Sequence, residues 1–340
     1  NGLVGSEMCI RDRLRGRKRP KGPTQASENE TEEITVRPSR KKSLPSKVTR
    51  RRAIQTSVGA ALMLGAADSR LLAADRFDGQ AGSLRGRIKQ SVCPWCFEPM
   101  PLETLCRHAA AMGIQSVELV DPKDWPILKK YGLVCAIAGS HSFTEGLCDP
   151  ANHELCIDSI RSRIDACAAA GFPAVITFSG VGNGIPDDVG LKNTVAALKQ
   201  VIGRAEKKQV NLCLEVLNTR VDKPMIGVPG YLCSSVEWAV DVCRQIGSDR
   251  MKVLFDIFHV QIMQGDIITR IRQYQEFIGH YHSAGVPGRH EIDDTQEINY
   301  PPIMRAIVAT GYKGFVAHEF IPTWPDQLGA LRHAVRLCDV

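Results

Sequence analysis

The sequence predicts an α/β fold, a single (β/α)8 barrel over residues 88–340, from two observations. Short apolar or β-branched runs, typical of buried parallel strands, alternate with segments whose apolar residues recur at helical spacing. No glycine-rich turn follows the first run, where a doubly wound open sheet normally carries one. Residues 93–97 occupy that place and read Cys-Pro-Trp-Cys-Phe. The alternation therefore favours a closed TIM barrel over an open sheet.

Eight runs predict the eight strands of the barrel. They are rich in Val, Ile, Leu and Ala, as buried parallel strands are. In chain order they cover residues 88–92, 116–120, 133–138, 174–178, 212–217, 252–257, 278–283 and 314–318. Their number is the one that closes a barrel of this class.

Helices are predicted between the strands, where apolar residues fall at i, i+3, i+7 and i+10 along one stripe. The four sets are Leu102/Leu105/Ala109/Met112, Ile157/Ile160/Ile164/Cys167, Val195/Leu198/Ile202/Ala205 and Leu328/Leu331/Val335/Cys338. Gly113, Gly171 and Gly311 stand where helices are expected to end, because glycine readily adopts the left-handed backbone of a helix C-terminus. The helix after the second strand is weakly marked, by residues 126–131 alone.

The N-terminal segment differs in composition from the rest of the chain. Residues 1–52 hold 15 Lys and Arg against 6 Asp and Glu, whereas the remaining residues hold 28 against 31. Few apolar residues accompany the basic clusters, so we expect a disordered tail over residues 1–48. Residues 1–13 resemble a translated sequencing adapter, and we assign them no function. Since the basic excess belongs to the tail, we expect no nucleic-acid partner for the barrel.

Residues 49–74 have the layout of an export signal. Three arginines at 50–52 precede an apolar run over residues 53–67 that is too short to span a bilayer. The paired arginines predict a twin-arginine signal, with residues 72–74 as the cleavage site. We therefore expect an exported, periplasmic protein without a stable membrane anchor. The alternative is a short amphipathic helix on a cytoplasmic protein.

The chain has 12 cysteines, most of them inside apolar strand or helix patterns. They lack the dense, even spacing of a disulfide-stapled secreted domain. Cys93 and Cys96 form a CxxC motif, but the sequence has no second CxxC to complete a four-cysteine zinc site. We therefore expect a structural role for this pair, with Trp95 as one wall of the substrate pocket.

Polar residues end four consecutive predicted strands. Glu215, Asp256 and His282 lie near the ends of predicted strands five, six and seven, and Glu319 directly follows predicted strand eight. The carboxyl ends of barrel strands share one mouth, so these side chains are expected to meet there. Three carboxylates in one site repel one another unless a cation holds them. They therefore predict a divalent metal ion, preferably Mg²⁺ or Mn²⁺, with Zn²⁺, Co²⁺ or Fe²⁺ as alternatives.

Three stretches carry a resemblance to a known family. Residues 215–220 read Glu-Val-Leu-Asn-Thr-Arg, residues 256–261 read Asp-Ile-Phe-His-Val-Gln, and residues 287–291 read Pro-Gly-Arg-His-Glu, followed by Glu-Ile-Asn-Tyr at 297–300. By these motifs the region from about residue 88 to 340 resembles the xylose isomerase-like barrels, and within them the hydroxypyruvate isomerases. The resemblance implies a metal-assisted isomerase that moves a carbonyl between adjacent carbons through an enediolate.

The same resemblance implies that the four strand-end residues are the metal ligands, and that Glu215 and Glu319 are also the catalytic pair that transfers protons. Two departures accompany it. Some hydroxypyruvate isomerases have Gln where this chain has His282, a residue that the sugar epimerases share. Ketose epimerases have a substrate-binding Glu six residues beyond the first metal ligand, where this chain has Val221. The second departure argues against a ketose epimerase.

Substrate binding is expected near the same mouth. The resemblance assigns His259 and Arg289 to substrate oxygens, and Asn218 and Gln261 follow the same strand ends as further candidates. His141 ends the third predicted strand, where it either reaches a substrate hydroxyl or serves as an ordinary loop histidine. Arg289 offers a planar fork to a carboxylate, which a neutral sugar does not need. A small hydroxy-oxo acid, hydroxypyruvate or tartronate semialdehyde, is therefore the favoured substrate.

Other function classes stay open. One is a sugar (ketose) isomerase or epimerase of the same superfamily, and another is a non-catalytic exported barrel that binds sugars. A metal-dependent endonuclease of this superfamily is disfavoured, because it needs more histidines at the mouth than the chain's 9 supply. In each remaining case the partner is a small molecule. The oligomeric state stays open, a homo-oligomer included.

Overall fold

The computed structural model describes residues 84–340. The tail predicted at residues 1–48 and the export signal predicted at 49–74 lie outside the described residues. Within the part that is described, no helix is both long enough and apolar enough to cross a membrane.

Seven parallel strands form one sheet in the order β2-β1-β7-β6-β5-β4-β3. They are β1 (Lys89–Val92), β2 (Ser116–Val117), β3 (Ala174–Thr177), β4 (Asn211–Glu215), β5 (Met251–Asp256), β6 (Ile278–Ser283) and β7 (Phe315–His318). Consecutive strands along the chain are neighbours from β3 to β7, and β1 pairs with β7. The ends of β4 to β7 therefore lie side by side.

Residues 133–138, predicted as the third of eight strands, do not form a regular strand. One end of this segment makes a parallel bridge to Ser116 of β2, and the other end makes one to Val175 of β3. Its ladder is interrupted because the Ala136 amide donates to the Ser116 hydroxyl, at 2.8 Å, instead of to a backbone carbonyl. The segment still joins the two edge strands, so the predicted barrel is confirmed, with seven regular strands and one irregular segment.

Ten α-helices are found among the described residues. They are α1 (Leu102–Ala111), α2 (Trp125–Lys130), α3 (His153–Ala170), α4 (Asp187–Lys199), α5 (Ile202–Lys208), α6 (Val236–Ile246), α7 (Ile257–Met263), α8 (Ile267–Tyr274), α9 (Tyr300–Ala309) and α10 (Gln327–Cys338). Gly171 ends α3 in the left-handed conformation, as predicted. The single helix predicted through Val195 and Ala205 is wrong, because α4 and α5 are separated at Val201, whose side chain turns into the core.

The core lies between the strands and the surrounding helices, with a smaller cluster of apolar side chains formed by Ile137, Ala174, Ile176, Cys213 and Leu254. All eleven cysteines in the described part of the chain are buried and free. Burial raises the pKa of the Cys93 and Cys96 thiols well above their ordinary value. They are therefore buried neutral thiols, which agrees with a structural role.

Candidate metal and substrate site

Four buried side chains meet at the carboxyl ends of the strands. Glu215 ends β4, Asp256 ends β5, His282 lies in β6 and Glu319 directly follows β7. Each offers one ligand atom, and the four atoms all lie within 4.8 Å of one another. The structure therefore brings together all four residues that the sequence singled out as metal ligands.

One ring nitrogen of His282 lies among the carboxylates. Nδ1 is 2.7 Å from Glu319 Oε2, 3.3 Å from Glu215 Oε1 and 4.0 Å from Asp256 Oδ2. It makes no hydrogen bond of acceptable geometry with any described residue. Together with three carboxylate groups, this nitrogen forms a donor set typical of divalent metals in proteins. The residues present therefore fit a divalent cation.

Burial and charge shift the pKa values of this cluster. Burial raises the pKa of Glu215 to about 7, and the nearby Glu319 adds to the shift. Burial acts on Glu319 in the same direction, but Arg289 and His282 outweigh it and hold the pKa of Glu319 well below its usual range. Burial lowers the pKa of His282, yet the surrounding carboxylates raise it well above its ordinary value. The cluster thus attracts positive charge, which a divalent cation supplies.

Asp256 has a different partner on each side of its carboxylate. Oδ1 caps the start of α7 by accepting the amides of Phe258 and His259, at 2.8 and 3.3 Å. Oδ2 accepts a hydrogen bond of 3.2 Å from Arg289 Nη2. The cap fixes the carboxylate, because two backbone donors restrict its rotation. Asp256 therefore presents its second oxygen to the cluster in one orientation.

Arg289 is committed to protein groups. Nε donates to the Glu319 carbonyl at 3.2 Å, Nη1 to the Met225 carbonyl at 2.8 Å, and Nη2 to the carboxylates of both Asp256 and Glu319. Its guanidinium carbon lies 5.3 Å from the centroid of the Trp95 ring. Four of its five N–H groups are used in this way. The guanidinium group that was expected to bind a substrate carboxylate instead donates to the carboxylates of the metal site.

The Pro-Gly-Arg-His-Glu motif fastens the loop that follows β7. The Ile321 amide donates to the Arg289 carbonyl at 2.7 Å, and His290 Nδ1 donates to the Ile321 carbonyl at 3.0 Å. Glu291 accepts the Trp324 amide at 2.8 Å and also binds the amide and hydroxyl of the residue before it. Three consecutive residues of the motif therefore hold the loop that begins with Glu319.

The Nε2 atom of His259 is buried and lies 3.5 Å from Asp256 Oδ2. The Nδ1 atom accepts the Asn218 amide at 3.0 Å and lies 2.7 Å from Asn218 Nδ2. Burial, with Arg289 nearby, holds the pKa of His259 well below its ordinary value, so the ring is neutral. Because Nδ1 is an acceptor, the proton is on Nε2, which has no hydrogen-bond partner among the described residues. Asn218, expected to bind substrate, is fully buried and orients His259 instead.

Two further substrate-binding candidates, Gln261 and His141, make hydrogen bonds to protein groups. Gln261 donates to Glu297 at 3.1 Å and is not among the described residues that line the cavity. His141 lines the cavity, but Nδ1 donates to the Ser142 carbonyl at 3.0 Å and Nε2 accepts the Phe178 amide at 3.3 Å. Both nitrogens of His141 are therefore engaged by the protein, and Gln261 lies outside the cavity lining, so this structure places neither side chain in position to bind a substrate.

Glu118 is a functional candidate that the sequence analysis missed. It follows β2, is fully buried, and accepts hydrogen bonds from Nε2 of both His280 and His282, each at 2.9 Å. The sequence feature that could have identified it is an acidic residue inside the otherwise largely apolar run at residues 116–120. Trp95, expected only as a wall, also donates its indole N–H to Glu319 Oε1 at 3.0 Å.

The site opens into a cavity of about 630 Å³. The polar residues on its wall include Glu215, His259, Arg289 and Glu319, whereas Leu119, Val120, Phe143, Ile176 and Phe178 line it with apolar surface. A cavity with a few converging polar groups on an apolar wall is typical of a small-molecule site. The arrangement can therefore bind a small polar molecule beside two carboxylates and a neutral imidazole.

Comparisons with known proteins agree with this architecture. A human protein named "Putative hydroxypyruvate isomerase" is 27% identical over 233 residues, which cover 67% of this chain and 77% of that relative. A 2-oxo-tetronate isomerase of Cupriavidus necator is 34% identical over 118 residues, which cover 35% of this chain and 43% of that relative. The chain therefore matches less than half the length of the second relative.

A solved structure and a family model extend the comparison. The crystal structure of an AP endonuclease, family 2, from Brucella melitensis matches with a TM-score of 0.65 at 22% identity, covering 73% of this chain and 98% of that one. At that identity the match shows the fold alone. Residues 106–338 match the model of the xylose isomerase-like TIM barrel. Because this match spans more than half of the sequence, the chain belongs to the xylose isomerase-like TIM barrel family.

Proposed function

We propose that this chain is an isomerase that interconverts adjacent carbonyl and hydroxyl groups of a small hydroxy-oxo acid, with hydroxypyruvate and tartronate semialdehyde as the leading substrates. The observation that carries the proposal is the meeting of Glu215 and Glu319 at one cavity, beside the neutral ring of His259. The relatives named as hydroxypyruvate and 2-oxo-tetronate isomerases support the same reaction class.

The two glutamates have the opposed protonation that this reaction needs. Arg289 and His282 hold Glu319 ionised, so in this pair it is the group that can accept a proton but has none to give. Without a cation the pKa of Glu215 is raised to about 7, so this carboxyl group can exchange a proton near neutral pH, whereas a bound cation would favour its ionised form. Pairs of carboxyl groups whose pKa values are pushed apart commonly divide acid and base roles in this way. The neutral His259 ring lies beside the two glutamates in the cavity lining, with Nε2 3.5 Å from Asp256 Oδ2.

The cation we propose is divalent, with Mg²⁺ or Mn²⁺ favoured by three carboxylates and a single imidazole, and Zn²⁺, Co²⁺ or Fe²⁺ as alternatives. Glu215, Asp256, His282 and Glu319 would hold it. When bound, such an ion acts as a Lewis acid that stabilises negative charge on substrate oxygens.

A second candidate function is a sugar isomerase or epimerase of the same family. Two observations favour it. The cavity of about 630 Å³ is far larger than a three-carbon acid needs, since sites of roughly 300–1,000 Å³ hold drug-sized ligands. In addition, four of the five N–H groups of Arg289 donate to protein oxygens, so only one is left to bind a substrate carboxylate.

Solvent exchange and a substrate panel test both candidates. The protein is incubated in deuterium oxide with hydroxypyruvate, tartronate semialdehyde and a set of ketoses, each with and without a chelator. An isomerase exchanges the substrate C–H with solvent and forms product. Binding without exchange for every compound contradicts catalysis, and turnover of ketoses alone selects the second candidate.

We also propose that the segment at residues 49–74 directs export by the twin-arginine route. The support is its sequence, in which the arginines at 50–52 precede a short apolar run. N-terminal sequencing of the natively produced protein tests this proposal. We expect the mature chain to begin after residue 74, and an intact cytoplasmic product that retains Arg51 contradicts export without affecting the proposed activity.

A further inference from the structure

A buried carboxylate reaches the metal-site histidine from the opposite direction to the cluster. Glu118 follows β2, and its Oε1 accepts hydrogen bonds from His280 and His282, both in β6. The two histidines are two residues apart in one strand, so their side chains lie on the same face. One oxygen of Glu118 therefore holds two neighbouring imidazoles, of which only that of His282 belongs to the four-residue cluster.

The contact determines which nitrogen of His282 faces the cluster. A histidine that binds a metal does so as a neutral imidazole with one proton, so a bound cation would displace the proton from one nitrogen, and an acceptor at the other nitrogen keeps the remaining proton there. Glu118 lies 2.9 Å from Nε2, whereas Nδ1 is directed at the carboxylates of Glu215 and Glu319. With the proton on Nε2, the lone pair of Nδ1 is directed at the place where a cation would bind.

Packing alone does not account for an acidic residue at this position. Glu118 is fully buried, its Oε2 has no hydrogen-bond partner among the described residues, and the thiol of Cys93 lies 3.8 Å from Oε1. A buried carboxylate with an unsatisfied oxygen costs stability, and apolar replacements of buried charges are often neutral or stabilising. The carboxylate therefore points to a role other than filling the core.

We propose that Glu118 is a positioning residue that fixes the ring orientation and tautomer of His282 so that Nδ1 is presented to a divalent cation. The inference rests on the metal site of the proposed function and goes beyond it, because it assigns the cation's affinity in part to a residue outside the four ligands. Carboxylates that accept from a metal-bound histidine change metal affinity by roughly 10–100-fold when they are removed.

The test is the affinity of the full chain for Mn²⁺, measured by isothermal titration calorimetry after removal of metal. Glu118→Leu removes the acceptor at similar volume, and we expect Mn²⁺ to bind about 10–100-fold more weakly. Glu118→Gln keeps a carbonyl acceptor and should retain much of the affinity. The unfolding temperature of each metal-free variant is the control for folding, because a purely structural role would lower that temperature without a selective loss of Mn²⁺ binding.

His280→Gln is the matched control. It keeps a nitrogen donor toward the same oxygen of Glu118 but leaves the bond to His282 in place, so we expect Mn²⁺ affinity close to that of the unchanged protein. Unchanged affinity in Glu118→Leu overturns the proposal, as does an equal loss in His280→Gln.

If the leucine variant does not fold, Glu118→Asp replaces it, because aspartate keeps the charge but withdraws the carboxylate from both rings. We expect weaker Mn²⁺ binding there too, and full affinity contradicts the proposal. Failure of the unchanged protein to bind Mn²⁺ overturns the metal site itself. Normal Mn²⁺ binding by every Glu118 variant overturns this inference alone and leaves the proposed isomerase untouched.

Discussion

The two sides of the barrel mouth differ in the side chains that their strand ends present to the cavity. On the side formed by β4 to β7, the cavity lining carries the buried polar cluster of Glu215, His259, Arg289 and Glu319 beside the apolar Leu217, Met225 and Val228, and members of the cluster are bonded to one another, as Arg289 is to Glu319. On the side formed by β2, the irregular segment 133–138 and β3, the strand ends themselves line the cavity with the apolar Leu119, Val120, Ile176 and Phe178, while the charged residues of the lining lie in the loop at 121–124 and, as Arg163, in α3. The histidine on this side, His141, has both nitrogens bonded to the backbone.

The difference separates two tasks. The polar side holds charge in fixed positions, which stabilises a transition state but does little to distinguish one substrate from another. The apolar side offers shape and surface, which select a substrate by size. Changes on the polar side should therefore lower kcat, whereas changes on the apolar side should alter KM.

The largest effect is expected at the two glutamates. Glu215→Gln or Glu319→Gln keeps the size of the side chain but removes the group that accepts or returns the proton, so kcat should fall by about 10²–10⁴-fold. Steady-state kinetics with the best substrate measures the loss, and circular dichroism checks the fold. A rate near normal in either variant would remove that residue from the proton-transfer pair.

Arg289→Ala should show the next largest effect and sharpen the comparison. The guanidinium bonds two buried carboxylates, and removing one partner of a buried ion pair costs about 3–5 kcal/mol. We expect kcat to fall by about 10²-fold together with a lower unfolding temperature. If KM alone rises, and only for substrates that carry a carboxylate, then Arg289 binds the substrate carboxylate, as the sequence predicted.

Metal removal should destabilise the polar side. A cation present at about 100 times its dissociation constant stabilises the folded state by about 2.7 kcal/mol. Differential scanning calorimetry of the protein with excess chelator, and then with Mn²⁺ restored, should show that loss and its recovery. An identical unfolding temperature in both conditions argues against a resident cation.

Acid should act on the buried neutral histidines of both sides. Burial lowers the pKa of His141 and His318 to about 4, so the unfolded chain takes up their protons first as the pH falls. Their contribution to the unfolding free energy is complete above about pH 6.5 and is lost as the pH falls toward 4, at about 1–3 kcal/mol each. Urea unfolding across this range measures the slope, and His141→Gln should flatten it. A slope unchanged by that substitution assigns the acid sensitivity elsewhere.

The smallest effect is expected on the apolar side. Phe143 packs edge-on against Phe178 and is only partly buried, so Phe143→Ala should be folded. We expect KM to rise by about tenfold or less, with kcat nearly unchanged, because the loss is one of contact area. The same substitution should change the ranking of larger against smaller substrates. A drop in kcat instead would show that the apolar side also contributes to the chemical step and does not act on substrate binding alone.

The polar side was also the more predictable one. Four strand ends carrying Glu215, Asp256, His282 and Glu319 had to meet, because parallel strands of a barrel end at one mouth. The irregular segment 133–138 could not be foreseen, since its ladder is broken by the hydroxyl of Ser116 on another strand. Roles that depend on a partner distant in sequence were missed or misassigned for the same reason.

Asn218 and Glu118 illustrate the point. Asn218 stands beside the cluster in sequence, yet its amide group faces His259, 41 residues away. Glu118 lies 164 residues from His282, and nothing in its immediate neighbourhood distinguishes it from an acidic residue at the protein surface. Local sequence patterns can identify the end of a strand. They cannot identify the hydrogen-bond partner of a side chain there when that partner is distant in sequence.

The clamp between residues 289–291 and the loop after β7 has a consequence for local opening. Because the amides of Ile321 and Trp324 donate to Arg289 and Glu291, one loop cannot lift without releasing the other. Their amide hydrogens should therefore exchange with solvent together, and more slowly than those of loops that open alone. The opposite rim, around residues 139–146, is bonded instead to the loop after β3, where the Phe178 amide donates to His141 and the Val181 amide to the Thr144 carbonyl, so its amides should exchange independently of the clamp.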